Sequence, residues 1–310
     1  PGLLNVTGSA NEDENAETRV GGDPVFRAQG GSLYVVATPL GNLRDITLRA
    51  LDILRTVDIV AAEDTRVSAT LLRHYGIGTR MIALHEHNEA QRAPMLIEHL
   101  AASRSVALVT DAGTPAVSDP GARLVAATRA AGFPVVPIPG PSAMIAAISA
   151  AGLDADRFLF LGFLAGNAKQ RRATLTMTEA LPCATVLYEA PHRLRHTLVE
   201  LSEVFGPSRT LVIAREITKR FESIATMPLG DALQWVDGDA HRSRGEFVLI
   251  LDAPAQVAPA AALDETGERW LRALLEQMSP AQAARVAAAA TGVARDAIYQ
   301  RALSLKGEGS

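Results

Sequence analysis

The sequence predicts two α/β domains followed by a small helical element, and three features carry that expectation. Between residues 32 and 139, short apolar runs alternate regularly with stretches whose apolar residues fall at helical spacing. A second series of apolar runs follows a cluster of turn-forming residues at 139–152. Beyond an Ala/Pro stretch at 253–263 the chain becomes alanine-rich and carries helix-capping signals.

Taken in order, the first 30 residues hold five acids (Glu12, Asp13, Glu14, Glu17, Asp23) against Arg19 and Arg27, and read as a disordered leader. The runs SLYVVAT (32–38), VDIVAAE (57–63), MIALHEH (81–87), SVALVTD (105–111) and FPVVPIP (133–139) are predicted strands. LRALDILRTV, RVSATLLRHYG, EAQRAPMLIEHLAAS and ARLVAATRAAG lie between them as predicted helices. Continuous apolar strands separated by helices predict a parallel sheet covered on both faces, in a domain spanning 31–148. The turn cluster PGPSAMIAAISAAG closes it.

The second series is RFLFLGFL (157–164), ATVLYEA (184–190), RTLVIARE (209–216) and EFVLILD (246–252), with one helical stretch, HRLRHTLVELSEVFG. Its irregular spacing predicts a partly antiparallel domain over 149–253. The remainder, 254–310, is a linker and helical tail in which Ser279 is placed as an N-cap with Pro280 at the first helical position. Gly292 ends that helix and another follows. Both helix-turn-helix geometry and a plain packing or dimer element fit this pattern.

The bulk composition narrows the function. The 310 residues are 48% hydrophobic and 21% charged, as in ordinary globular proteins. The lone cysteine, Cys183, excludes a disulfide framework and a multi-cysteine zinc site. With one cysteine, a reducing cytoplasm is the expected compartment. No run approaches the roughly 18 apolar residues of a membrane span, and no signal-peptide pattern opens the chain. The formal net charge is −4, of which the leader contributes −3. A nucleic-acid site must therefore be a local patch.

Ligands of open parallel sheets bind beyond the carboxyl ends of the strands. The five predicted loops there are ATPLGNLRD (37–45), AEDTR (62–66), LHEHNE (84–89), TDAGTPAVSDPG (110–121) and PIPGPSA (137–143). Their glycines and prolines allow the backbone to approach a ligand closely. Neither G-x-G-x-x-G nor G-x-x-x-x-G-K-[ST] occurs, which removes the usual support for dinucleotide or nucleoside-triphosphate binding. His85-x-His87 and His192-x-x-x-His196 have metal-compatible spacing. Neither completes H-E-x-x-H, and arginines surround the second, so a metal is not expected; the first pair is expected to make loop hydrogen bonds and the second to face RNA or solvent. Basic clusters in the second half comprise Lys169, Arg171 and Arg172; Arg193 and Arg195; Arg215, Lys219 and Arg220; and Arg242 and Arg244. At strand ends and in loops they would form either a solvated face or a phosphate-binding patch.

The runs LYVVATPLGNLRDIT, AAEDTR, LHEHNE, LVTDAGTPAVSDPG, VVPIPGPSA, LYEAPHR, LVIAREITK and RGEFVLI resemble the tetrapyrrole methylase (class III methyltransferase) superfamily, and within it the bacterial 16S rRNA (cytidine-2′-O)-methyltransferases. The resemblance runs in order from about residue 31 to the tail. It implies a cleft between the two α/β domains that binds S-adenosyl-L-methionine, a homodimer, and a cytidine of 16S rRNA in the 30S subunit as substrate. By motif the donor site would comprise Thr38, Pro39 and Gly41 of the first loop, then Asp111, Ala112, Gly113 and Thr114. Ser118, Asp119, Gly121 and Ser142 would add contacts, and Leu187, Tyr188 and Ala214 would wall the donor. A ribose hydroxyl is a weak acid, so a base or a cation near it is expected. Glu189, Glu63 and His192 are the candidate bases. Lys219, Arg66 and Arg193 are candidates for holding a phosphate or polarising the oxygen. The expected RNA contacts are Arg66, Lys169, Arg171, Arg172, Arg193, Arg195 and Arg220. Each of these could instead serve a structural ion pair. A methylase of a tetrapyrrole or other small molecule, and an RNA-binding assembly factor without catalysis, stay open as alternatives.

Overall fold

The computed structural model describes residues 19–20, 23–153, 156–254 and 263–307. The chain divides into two compact units, Pro1–Asp252 and Ala253–Ser310.

The first unit opens with a minimal antiparallel pair, β1 (Arg19–Val20) and β2 (Asp23–Pro24). Five strands then alternate with four helices: β3 (Leu33–Val36), α1 (Leu48–Thr56), β4 (Ile59–Ala62), α2 (Thr65–His74), β5 (Met81–Ala83), α3 (Glu89–Ala101), β6 (Val106–Val109), α4 (Ala122–Ala130) and β7 (Val135–Ile138). The strands form one parallel sheet in the order β5-β4-β6-β3-β7. Successive side chains of a strand point to opposite faces. Tyr34, Val36, Val60 and Ala62 accordingly meet Ile53 and Leu54 of α1 and Leu71 and Leu72 of α2. Leu33, Ile59, Val106 and Leu108 meet Leu96 and Leu100 of α3 and Leu124 of α4 on the other side. Burying each such side chain contributes about 1.5–3 kcal/mol. Side-chain caps start the helices where the strands deliver them. The Thr47 hydroxyl accepts from the Ala50 N–H at 3.1 Å, and the Asp64 carboxylate accepts from the Arg66 N–H at 2.8 Å.

Of the expected leader, residues 1–18 lie outside the described residues, but the expectation fails at its end. The Phe26 N–H donates to Asp52 Oδ2 at 3.1 Å and the Ala28 N–H to Thr56 Oγ1 at 3.0 Å, while Phe26 packs onto the core beside α1. The Phe26 ring, with Arg49 over it at 4.8 Å, and these two hydrogen bonds dock the segment.

The second sheet follows α5 (Ala143–Ala151). Its elements are β8 (Phe158–Phe163), α6 (Ala168–Thr178), β9 (Ala184–Glu189), α7 (Leu194–Phe205), β10 (Thr210–Arg215), β11 (Ser223–Pro228), α8 (Ala232–Asp237) and β12 (Phe247–Leu251). The order is β11-β10-β12-β9-β8, parallel between β8 and β9 and antiparallel elsewhere. Residues of α7 and α8 cover one face and α5 covers the other.

The turn expected over 139–152 is a helix. AMIAAISAA is a strong helix former, and the flanking turn residues are its caps, Ser142 and a left-handed Gly152 at φ 65°. Its Ala147 and Ala151 pack with Val186, Val212 and Ile250, so α5 covers the second sheet although it lies largely within the expected 31–148 domain. Helix α6 also replaces an expected loop, which moves Lys169, Arg171 and Arg172 onto a helix.

The second unit holds α9 (Glu265–Gln277), α10 (Pro280–Thr291) and α11 (Arg295–Gly307). Ser279 and Gln282 form a reciprocal capping box with Pro280 in the first turn, and Gly292 closes α10 at φ 72°. Leu271, Ala283, Ala284, Ala287, Ile298 and Ala302 make its core. Among the described residues no helix is long and apolar enough to cross a membrane.

Candidate active site

The loops at the carboxyl ends of β3, β6 and β7 are sewn together by short polar contacts. Thr38 and Gly113 exchange backbone hydrogen bonds, N–H to O, at 2.9 and 3.0 Å. The Thr38 hydroxyl donates to the Thr110 carbonyl at 3.0 Å, and the Thr114 hydroxyl to the Pro141 carbonyl at 3.0 Å. Gly113 sits at φ +87°, a left-handed conformation suited to glycine. These ties leave a cavity of about 330 Å³ between the loops and the second sheet. That volume lies within the range of small-molecule sites.

Five carboxylates line the cavity (Glu63, Asp111, Asp119, Glu189 and Glu246), and its lining contains no lysine, arginine or histidine. The Asp111 N–H donates to Glu63 Oε2 at 3.3 Å, and Asp111 Oδ1 accepts from the Asp64 N–H at 3.0 Å. Burial, and then the charges of Glu63 and Asp111, push the Asp119 carboxyl up to about 7. Burial also raises Glu63 and Asp111 above the usual carboxylate range. Glu189 and Glu246 are paired with Arg193 and Lys219 behind the lining, and the remaining cluster of Glu63, Asp111 and Asp119 is an arrangement that a cationic ligand relieves.

Of the expected donor contacts, Asp111, Ala112, Gly113, Thr114, Asp119, Ser142 and Tyr188 line this cavity. Leu40 of the first loop does too, whereas Thr38 is the buried suture beneath it and Pro39 is buried. Gly41 instead accommodates the side chain of Lys219, into which a Cβ would run. Four further expected contacts lie outside the lining. Leu187 points to the opposite face of its sheet, into the cluster with Leu198 and Leu249. Ala214 is fully buried under α5, and its register partner Val248 lines the cavity instead. Gly121 opens α4 at φ +122° against Leu108, outside the lining. Ser118, at φ +63°, lies against Gly162 of β8.

The candidate bases separate by environment. The side chain of Glu189 is 0% exposed. Its Oε1 accepts from the Ala190 N–H at 2.8 Å, its Oε2 accepts from the Thr197 hydroxyl at 2.5 Å, and Arg193 Nε stands 3.4 Å away. A carboxylate so engaged has little capacity left for a substrate proton. Glu63 faces the cavity. His192 is exposed and outside the lining. Lys219 Nζ is held by Glu216 at 3.1 Å and Glu246 at 2.9 Å.

The expected RNA patch also divides. Arg171 is corrected to a structural role: its side chain is 5% exposed, it pairs with Glu200, and it donates to the Ala165 and Gly166 carbonyls at 3.2 and 3.1 Å. Arg193 donates to the Leu164 carbonyl at 2.8 Å. Arg66, Arg172 and Arg195 are exposed but paired with Asp64, Glu203 and Asp237. Lys169 and Arg220 are exposed, the latter over the ring of Phe221. His85 bonds with Asn88 across its loop, backbone N–H to Oδ1 at 2.9 Å.

Sequence reasoning did not single out Phe163, Ile217, Glu246 or Phe247, all of which line the cavity. A signal for Phe247 existed. Antiparallel pairing sets Phe247 opposite Glu189 and Val248 opposite Tyr188, so a site at the end of β9 includes the start of β12.

Comparison with known proteins agrees with this geometry. Residues 32–233 match the family model of Tetrapyrrole (Corrin/Porphyrin) Methylases, and residues 261–306 match that of the RsmI C-terminal HTH domain. The chain is 47% identical over 280 residues to Ribosomal RNA small subunit methyltransferase I of Escherichia coli O157:H7, covering 89% of this chain and 96% of that one. It is 45% identical to the protein of the same name from Pseudomonas aeruginosa, covering 90% and 99%. Among solved structures, the methyltransferase CobJ superposes with a TM-score of 0.56 at 21% identity, covering 76% of this chain and 97% of CobJ. Diphthine synthase gives 0.56 at 20%, covering 72% and 90%. At that identity the structural likeness establishes the fold alone. The chain thus belongs to the tetrapyrrole methylase family, in the branch of the small-subunit ribosomal RNA methyltransferases I.

Proposed function

We propose that this protein transfers the methyl group of S-adenosyl-L-methionine to the ribose 2′-hydroxyl of a cytidine in 16S rRNA, acting on the 30S subunit in the cytoplasm. The observation that carries this reading is the acidic cavity at the strand ends, with five carboxylates and no cation in its lining. The donor bears a sulfonium and an ammonium group, so the cavity suits its charge. Tyr188, Ala143 and Val248 offer an apolar wall for its adenosine. A tetrapyrrole rich in carboxylates is repelled by the same lining, which disfavours the small-molecule alternative.

Bound S-adenosyl-L-methionine supplies a methyl carbon already activated as a sulfonium. The protein's work is alignment, worth several kcal/mol, and removal of one proton. We assign the proton to Glu63 and Asp119, because burial raises both carboxyls and the charge of Glu63 pushes Asp119 further, up to about 7. Arg193, with Glu189 and Thr197, positions the cavity wall. Lys219 joins Glu246 of the lining to the Gly41 loop. Exposed Lys169 and Arg220 are the residues of the expected patch left free for phosphate, since neither forms an ion pair among the described residues.

Dimerisation with a second copy is supported by α5, apolar along its length with Ile145 half exposed, and by edge strand β8 with Phe158 exposed.

The test is methyl transfer from labelled S-adenosyl-L-methionine to 30S subunits lacking the modification, followed by nucleoside analysis. The expected product is 2′-O-methylcytidine, with turnover lowered by Glu63→Gln. Donor binding without incorporation into 30S would redirect the search to a small acceptor.

A further inference from the structure

The exposed aromatic ring at the edge of the cavity has no role in the chemistry above. Phe163, the last residue of β8, is 54% exposed yet lines the cavity. Its ring meets Tyr188 edge to face, with centroids 5.5 Å apart, and Tyr188 in turn meets Phe160 at 4.9 Å. The segment after it is pinned: Arg193 bonds the Leu164 carbonyl, and Arg171 bonds the next two carbonyls. A large apolar ring held this firmly toward solvent is a feature of ligand contact.

Electrostatics indicates which ligand. With Glu63, Asp111 and Asp119 in its lining, none of them in an ion pair among the described residues, the cavity repels phosphate, so an acceptor nucleotide enters by its sugar while its backbone stays outside. The base must then be recognised by an uncharged surface at the rim. An aromatic face meets that need, because every nucleobase presents a π-face to stack.

Resting on the methyltransferase reading above, we propose that Phe163 is the platform on which the base of the acceptor nucleotide stacks, so that the protein binds that nucleotide extruded from the RNA stack.

The test compares Phe163→Ala, Phe163→Leu, Phe163→Tyr and Phe163→Trp with the wild type. Steady-state kinetics on unmodified 30S subunits, calorimetric S-adenosyl-L-methionine affinity and oligomeric state are measured for each. Stacking predicts that the Ala and Leu variants lose about ten- to hundredfold in kcat/KM, mainly through KM. Donor affinity and oligomeric state stay unchanged, and the Tyr and Trp variants stay within about threefold of the wild type by the same stacking argument. Unchanged 30S kinetics in Phe163→Ala would overturn the proposal. So would activity of Phe163→Leu equal to that of Phe163→Tyr, since bulk rather than a π-face would then suffice. Weakened donor binding would make Phe163 a donor wall, and a changed oligomeric state would make it an interface; either result also overturns the proposal. A wild type inactive on 30S but able to bind donor would instead remove the reading on which the proposal rests.

Discussion

Replacing Arg171 by methionine separates a fold role from an RNA role. Its guanidinium is buried, bonded through Nη2 to Glu200 Oε1 at 2.7 Å and through Nη1 to two carbonyls of the segment after β8. Arg171 holds the Glu200 carboxyl below its usual range. Methionine removes the charge and keeps most of the volume, so Glu200 loses its guanidinium and keeps only His196, 3.4 Å away, beside it, and the two carbonyls lose a donor. Breaking one side of such a pair costs about 3–5 kcal/mol, a large part of the roughly 5–15 kcal/mol that stabilises a domain. Removing both charges in Arg171→Met/Glu200→Leu should recover most of the loss. Acid should act oppositely on the two forms. The lowered carboxyl in the wild type gives stability that is present above the unfolded pKa and lost as pH falls through the folded one. The single variant, whose buried Glu200 keeps only His196 beside it, should gain stability on mild acidification as that carboxyl takes up a proton. Urea unfolding can be followed through Trp235 in a Trp270→Phe background, which confines the signal to the first unit; Trp270 is exposed on α9. A single variant as stable as the wild type but defective in binding 30S would refute the structural assignment.

Two further outcomes follow from the site. With Asp119 pushed up to about 7, donor binding should draw its ionised form and release protons. Affinity for S-adenosyl-L-methionine should therefore strengthen from pH 6 to pH 8, by up to about tenfold per pH unit below the shifted pKa. Calorimetry in buffers of different ionisation enthalpy reads both effects, and Asp119→Asn should flatten the dependence. Gly121→Ala should destabilise the first unit by about 3 kcal/mol. Its backbone sits at φ +122°, and the added Cβ would stand 2.5 Å from Leu108 Cδ2. A midpoint in urea unchanged from the wild type would count against that strain.

Periodicity made the strands and helices of the first sheet legible, because each apolar run was bounded by its own turn or cap. It missed α5, where Ser142 and Gly152 read as a turn although they cap a helix between them. It also missed β11, an edge strand whose SIATMP segment is only half buried and lacks a continuous apolar run. The cavity was legible through its loops, as Asp111–Thr114 and Asp119 illustrate. Strand residues were less so: a motif marks Leu187 and Tyr188 equally, and only the pleat decides which one faces the cavity. Arginine roles were least legible. Arg171 and Arg172 are adjacent, yet one is buried on Glu200 and the other exposed on Glu203, a difference that depends on where α7 packs.

The claim that the carboxylate-lined cavity performs the chemistry is tested most directly by charge reversal within it. Wild type and Asp111→Lys, both checked for folding by circular dichroism, would be given labelled S-adenosyl-L-methionine and unmodified 30S subunits. The wild type should yield 2′-O-methylcytidine, and the folded variant should show neither donor binding nor product. Normal methylation by Asp111→Lys, or a product methylated on the base rather than the ribose, would contradict it.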